Sequence, residues 1–262
     1  MSFTSTKVIF QNGSRRSHLS VISKEHIGIL FLCFTAASIC HLVSLHVSTH
    51  VLHLLPPWHS ANIDGTGPAP NQYRWLSFHI PEFLRASLDV SVAKAYLILR
   101  VFNLMVAFWF AALIARHLCS EPLAPVIAVM ATALYYAAAT QEHFQPAEEP
   151  NLAVFAVFIW LLMRGYNIVP LAIIFAIGAT NKSAVVFLIP FLFTYRWIGQ
   201  KNLKSATIET IILTLIFVLI YFGIRFYYGI DRPYSGGFWQ IDRNLYLLLN
   251  LKLEAYMWML AV

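Results

Sequence analysis

Long apolar blocks alternate with short polar stretches along most of the chain. A helix of about 20 apolar residues crosses the hydrocarbon core of a bilayer, so blocks of this kind predict membrane-spanning helices. The pattern therefore predicts an all-α, polytopic transmembrane helix bundle. The clearest spans are expected at about residues 26–55, 92–114, 122–140, 151–163, 206–228 and 245–262.

The apolar block at residues 168–197 allows two interpretations. One tilted helix would leave Arg196, Lys201 and Lys204 outside, against the preference of basic residues for the cytoplasmic side. Two short segments meeting at residues 180–183 would return these cations to the cytoplasm. Each segment would be shorter than a straight span and would need cover from protein or a polar cavity. We favour the second interpretation, a re-entrant or short-helix pair with Lys182 facing outward or into such a cavity.

The longest polar stretch between apolar blocks runs from Pro56 to Asp89. Asp64 lies in its Gly/Pro-rich first half, and the patch Tyr73-Arg74-Trp75 follows. A short amphipathic stretch runs from Ser77 to Leu88, and Pro81 is expected to start its helix at the first helical position. We expect this first outer loop to fold as a cap on the membrane surface.

Composition excludes a soluble globule. The 262 residues are 59% hydrophobic and 11% charged, with a mean hydropathy of +0.66, whereas soluble domains carry about 25% charged residues. The net charge of +6 is explained by basic cytoplasmic loops without invoking nucleic acid. The chain is expected in the plasma (inner) membrane as a multi-pass protein among membrane lipids.

The first 25 residues carry four Lys or Arg side chains against Glu25. This excess predicts a cytoplasmic N-terminal segment, residues 1–25, followed by a transmembrane domain, residues 26–262. The first span would act as the signal anchor. The final apolar block carries no basic cap, and the sequence leaves open whether Val262 is the true C-terminus.

Three segments resemble the C-type glycosyltransferase superfamily. They are the stretch from Gln72 to Leu84, the stretch Ala179-Thr180-Asn181-Lys182-Ser183-Ala184, and the stretch from Asp242 to Asn250. The resemblance implies a multi-span enzyme that uses polyprenyl-phosphate-linked sugars and carries an acid in its first outer loop. Two departures stand out: this chain has Lys182-Ser183 where the family has Arg-Glu, and Asp64 is a lone acid rather than part of an Asp-Glu pair.

The resemblance and the outward charges together nominate site residues. Asp64 would act as the general base that deprotonates the acceptor, although Asp-Gly is also a common turn. Lys182, Arg74 and Arg232 would bind the donor phosphate, although the two arginines could instead reach lipid headgroups. Glu148 and Glu149 would assist with acceptor or metal, although acids also favour a helix N-terminus.

Other polar residues inside the apolar blocks need explanation. Arg100 falls within a span and requires a partner that the sequence does not identify. His46, His50 and His53 share a helical face with metal-like spacing, but hydrogen bonding explains them better. No metal site is assigned, and a divalent cofactor is left open.

Two other classes of function compete with the transferase. The chain could be a non-catalytic subunit of a membrane protein complex that kept the fold, because the family acid is missing beside Lys182. It could also be a transporter, because transporters use broken helices of the kind expected at residues 180–183.

Overall fold

A computed structural model describes residues 24–48, 53–67, 71–139, 147–199 and 201–229. Within these ranges the chain is helical and contains no strand. Short 3₁₀ segments lie at Asn71–Tyr73 and Ser183–Phe187, and a π-helical turn lies at Tyr195–Gly199. The α-helices of the described ranges are α1 Lys24–Ser48, α2 Leu55–Ile63, α3 Trp75–Leu88, α4 Val92–Leu118, α5 Ala124–Ala139, α6 Glu148–Met163, α7 Ile168–Ala179, α8 Leu188–Thr194 and α9 Leu203–Tyr228.

Within the described ranges, three helical stretches are long and apolar enough to cross a membrane, which indicates a membrane protein. They are Glu25–His46, Val92–Leu118 and Leu203–Tyr228. The first is shorter than expected, because α1 ends at Ser48 and a separate helix begins at Leu55 with prolines in its first turn. The expected spans at 122–140 and 151–163 correspond to α5 and α6, each of 16 residues. The expected span at 245–262 lies outside the described residues.

Polar side chains mark several helix boundaries. Ser91 caps α4 by accepting a hydrogen bond from the backbone N–H of Lys94, and Asn167 and Asn202 cap α7 and α9 in the same way. Asp89 ends α3 in the left-handed conformation, with φ of 51°. These caps explain why polar residues punctuate the apolar pattern where they do.

The amphipathic surface helix α3 is present, but its predicted start was wrong. The helix begins at Trp75, two residues before the amphipathic stretch, and Pro81 lies inside it rather than at its first position. Burial explains the difference, because Ser77 and Phe78 pack fully into the protein and hold the first turn in place.

The bundle has two hydrophobic cores joined by α6. The first core packs α1, α4, α5 and α6 around residues such as Leu104 and Phe108. The second core packs α6, α7, α8 and α9 around residues such as Phe158 and Phe175. Helices α2 and α3 lie over the start of α4, where Leu55, Phe78 and Tyr96 are buried together.

The apolar block at 168–197 is interrupted, as the second interpretation predicts. Helix α7 stops at Ala179, a turn carries Asn181 and Lys182, and the chain resumes as a 3₁₀ segment followed by α8. The 12 residues of α7 rise about 18 Å, well below the ~30 Å of a hydrocarbon core. The interruption is confirmed, whereas a re-entrant path in a membrane stays a prediction.

Side-chain contacts identify two opposite ends of the bundle. At the end called here the Arg116 end, Arg116 forms an ion pair with Glu25 at 2.8 Å. Buried Arg196 at the turn after α8 pairs with Glu209 at 3.0 Å. At the other end, called here the Lys182 end, the start of α3, the start of α6, the interruption after α7 and the end of α9 meet.

Candidate functional site

A cleft with a volume of about 80 Å³ opens at the Lys182 end. It is lined by residues of the polar stretch just before α3, of the interruption after α7 and of the last turns of α9. Three of its lining side chains are cationic: Arg74, Lys182 and Arg225. Arg74 and Lys182, two of the three cations that the sequence nominates for phosphate binding, are 108 residues apart in the sequence, and the fold brings both to this cleft.

Asn181 holds the interruption in place and thereby positions Lys182. Its fully buried side chain accepts a hydrogen bond from the Ser77 hydroxyl and donates one to the Ala147 carbonyl at 2.8 Å. The backbone N–H of Leu76 donates to the Thr180 carbonyl at 3.3 Å. The turn is thus fastened to the starts of both α3 and α6, so irregular backbone is covered and satisfied by protein.

Lys182 forms an ion pair with Glu148 in the first turn of α6. The side chains are 24% and 32% exposed, so the pair borders the cleft and is reachable by solvent. Burial lowers the pKa of the Arg74 guanidinium, and the nearby Glu148 carboxylate partly opposes this. Three cations against this one carboxylate leave the cleft with an excess of positive charge.

Arg225 belongs to this site and was not identified from the sequence. Its guanidinium carbon lies 3.4 Å from the ring centroid of Tyr221 and 4.5 Å from that of Tyr73. The Tyr73 hydroxyl donates a hydrogen bond to the Gly229 carbonyl at 2.9 Å, which joins the polar stretch before α3 to the end of α9. The sequence signal for Arg225 is its position one turn before the end of an apolar block. Arginines at such positions also commonly contact lipid headgroups, so the position alone does not indicate a site.

Asp64 lies at the same end of the bundle but does not line the cleft. It is exposed at the C-terminus of α2, where its backbone N–H donates to the Ser60 carbonyl at 2.9 Å. The next residue, Gly65, has φ of +68°, and a Cβ there would come within 3.0 Å of the Tyr228 ring. Tyr228 packs with Tyr73, so one aromatic contact separates the Asp64 turn from the cleft wall.

Glu149 faces the bundle interior, in contrast to Glu148. Its carboxylate is 2% exposed and pairs with Arg100 of α4 at 2.7 Å, and it also accepts a hydrogen bond from Tyr136. Arg100 in turn donates to the Ser44 hydroxyl at 2.8 Å. Glu149 is therefore the partner that Arg100 requires, and the fold does not bring it to the cleft with Lys182.

A second polar network fastens the surface helices to α4. The buried His59 ring contacts the Tyr96 hydroxyl through Nδ1 at 2.9 Å and Glu82 through Nε2 at 3.0 Å. Glu82 also accepts two hydrogen bonds from Arg85, at 2.6 and 2.9 Å. Hydrogen bonds from Arg85 and then from His59 lower the pKa of Glu82 to about 2.

The described structure does not bring the other residues nominated for phosphate or metal binding together in a site. Arg232 and His50 lie outside the described residues. In the ranges that the structure covers, no three His, Cys, Asp or Glu side chains are close enough to hold a metal ion.

Comparison with known proteins identifies no relative of this chain. No protein family model matches the chain, and neither a curated protein nor a solved structure shows significant similarity to it.

Proposed function

We propose that this chain is a membrane glycosyltransferase that binds the phosphate of a polyprenyl-phosphate-linked sugar in the cleft at the Lys182 end. The observation that supports the proposal best is the convergence of Arg74, Lys182 and Arg225 from three separate parts of the chain. Isolated charges near a membrane interface are commonplace, whereas three cations around one cleft favour an anionic ligand.

Charge and size both fit a phosphate. Guanidinium groups offer paired N–H donors that match phosphate oxygens, and an ammonium adds a compact positive charge. The cleft volume of about 80 Å³ corresponds to only two or three water molecules. The proposal therefore has the phosphate in the cleft and leaves the sugar and the polyprenyl chain outside it.

In the proposed reaction, an acceptor hydroxyl attacks the anomeric carbon of the donor sugar. The bond from that carbon to the phosphate oxygen breaks, and polyprenyl phosphate leaves with the electron pair. The three cations stabilise the charge that develops on the departing phosphate. Asp64, exposed at the same end of the bundle, takes the proton of the acceptor hydroxyl.

The proposed orientation follows the distribution of basic residues. The Arg116 end carries Arg116, Arg164, Lys201 and Lys204, as the cytoplasmic side of a membrane protein usually does. The N-terminus would then be cytoplasmic, and the Lys182 end would face outward from the plasma (inner) membrane. In this multi-pass arrangement α7 and the following segment form a re-entrant pair whose turn reaches the outer surface.

Transfer of a labelled sugar from donor to acceptor tests the proposed activity. The full chain in lipid nanodiscs would be incubated with a radiolabelled polyprenyl-phosphate sugar and a membrane extract as a source of acceptors. We expect sugar transfer with the native chain and a loss of at least about 100-fold with Asp64→Asn, because removal of a general base costs that much. Asp89→Asn is the matched control, since Asp89 is exposed and asparagine tolerates its left-handed backbone.

A non-catalytic subunit is the second candidate. It is favoured by the position of Asp64, which ends α2 in a turn and does not line the cleft. Equal transfer by the native chain and Asp64→Asn would remove the base from the mechanism. Absence of transfer together with retained binding of polyprenyl phosphate would favour the non-catalytic subunit.

A further inference from the structure

A second cavity, separate from the basic cleft, lies between α1, α2 and α4. Its volume is about 190 Å³. The lining residues are His41, Leu45, Leu55, Ala93, Lys94, Tyr96, Leu97 and Arg100. Its walls are largely apolar. Three of the lining side chains are basic, namely His41, Lys94 and Arg100, and none is a carboxylate.

The polar groups occupy different parts of the cavity. Lys94, Ala93 and Leu97 are exposed, so they form its rim on the outer surface of α4. His41 and Arg100 are buried, and Arg100 lies almost two turns further along the helix than Lys94. The cavity therefore leads from an exposed rim to a buried basic floor.

His41 supplies an independent indication of a ligand. Its side chain is buried, and within the described residues its Nδ1 atom has no hydrogen-bond partner. A buried polar atom without a partner loses the solvation that it had in water, which costs about 1–3 kcal/mol unless another group satisfies it. In the tautomer that carries the proton on Nδ1, this atom would donate a hydrogen bond to a ligand oxygen placed beside His41 and Arg100.

We propose that this cavity binds a single-chain amphiphile with an anionic head, of the fatty carboxylate class. The carboxylate would lie against His41 and Arg100, and Lys94 would extend over the rim. The first part of the hydrocarbon chain would pack against Leu45, Leu55 and Leu97 and continue into the bilayer. An apolar cavity of about 150 Å³ takes up a benzene-sized ligand, so 190 Å³ holds one chain segment and not two.

The charge of the lining decides between ligand heads. A cationic amphiphile would meet three basic side chains, and a neutral alcohol oxygen would accept weaker hydrogen bonds from Arg100 and Lys94 than a carboxylate does. Arg100 keeps Glu149 as a partner, and its guanidinium has five N–H donors, which allows it to bind a ligand oxygen as well. The proposal concerns different residues from the transferase cleft and does not depend on that function.

Photocrosslinking of the full chain in nanodiscs tests this site. The probe is palmitate with a diazirine in its chain, and mass spectrometry locates the modified peptides. We expect labelling of α1 and α4 near residues 41–45 and 93–100. Ala93→Trp, which fills the rim from an exposed position, should lower this labelling about tenfold or more, and Lys94→Gln should lower it several-fold.

Competition and a control variant separate the alternatives. Unlabelled palmitate should displace the probe, whereas hexadecanol should not at equal concentration. Lys182→Gln should leave the labelling unchanged, because Lys182 lines the other cleft. Equal labelling of Ala93→Trp and the native chain, equal competition by hexadecanol, or stronger competition by hexadecyl phosphate than by palmitate would overturn the carboxylate assignment.

Discussion

Glu148 and Glu149 are neighbours in the first turn of α6, yet they lie in opposite environments. Glu148 is about one-third exposed and pairs with Lys182 beside the open cleft. Glu149 is almost completely buried and pairs with Arg100 inside the bundle. Successive residues on a helix point about 100° apart, so one turn can serve a site with one acid and the core with the next.

The difference separates two uses of charge in an apolar protein. A buried ion pair whose groups are hydrogen-bonded fixes how two helices pack. Removing one partner destabilises the protein, because the other charge stays buried without compensation. An exposed pair contributes little to stability, and its charges can be offered to a ligand. Contacts to the proposed phosphate are therefore to be sought among half-exposed charges such as Lys182, whereas a fully buried acid such as Glu149 has a structural role.

The largest expected effect is on stability. Glu149→Gln would leave the Arg100 charge buried without its carboxylate, and we expect a loss of about 3–5 kcal/mol in the free energy of unfolding. Glu148→Gln, the matched control, should change the same quantity by at most about 1 kcal/mol. Reversible unfolding of the purified chain in mixed micelles measures both values.

Replacing the whole buried pair sharpens this test. The double variant Arg100→Met with Glu149→Met should recover most of the stability lost in Glu149→Gln, because no unpaired charge remains. Equal losses for Glu148→Gln and Glu149→Gln would contradict the division of roles between the two acids.

The next effect concerns the interruption after α7. Asn181→Ala removes hydrogen bonds to Ser77 and to the Ala147 carbonyl from a fully buried position. We expect a loss of about 1–3 kcal/mol and faster hydrogen exchange in residues 180–187. The comparison variant Asn103→Ala breaks only a bond to the Leu99 carbonyl within the same helix and should leave exchange in residues 180–187 unchanged.

A smaller effect is expected on ligand affinity. Glu148→Gln removes the carboxylate that partly neutralises the cleft, so binding of polyprenyl phosphate should become about fivefold tighter, a change of ~1 kcal/mol. Glu121→Gln, an exposed acid between α4 and α5 at the Arg116 end, should have no such effect. Weaker binding of the phosphate by Glu148→Gln would show that Glu148 does not act by neutralising Lys182.

The smallest effect is a pH dependence at the surface helices. The pKa of Glu82 is depressed in the folded state, from an ordinary 4.5 to about 2, chiefly by hydrogen bonds from Arg85 and His59. Its stabilising contribution is therefore present above pH 4.5 and is lost as the pH falls toward 2. The protection factors for hydrogen exchange in α3, which correct for the slower intrinsic exchange in acid, should fall across that interval, and Glu82→Gln should abolish the fall.

Much of the helical framework could be predicted because apolar block length and basic residues constrain it directly. The interruption at residues 180–183 followed from two facts, the length of block 168–197 and the cations after it. The start of α3 was missed because the preference of proline for a first helical turn was weighed above the burial of Phe78. That burial depends on contacts with Trp58 and Tyr96, which local sequence does not reveal.

The candidate site was only partly predictable for the same reason. Arg74 and Lys182 could be nominated because each is a cation in a polar stretch that the sequence predicts to lie on the outer side. Arg225 could not, because its role depends on the rings of Tyr73 and Tyr221 around it. The Arg100–Glu149 pair required knowing that α4 and α6 lie side by side, although an acid at the corresponding end of a neighbouring apolar block was a foreseeable partner.

Binding of polyprenyl phosphate to the purified full chain tests the central claim most directly, and native mass spectrometry can count the bound lipid. The account predicts that the native chain retains one polyprenyl phosphate. Arg74→Gln with Arg225→Gln should weaken its binding by more than about tenfold, because two charge-assisted contacts are lost. Arg85→Gln with Arg116→Gln removes the same charge from exposed positions outside the cleft and should retain the lipid. Equal retention by both double variants would contradict the assignment of a phosphate site to this cleft.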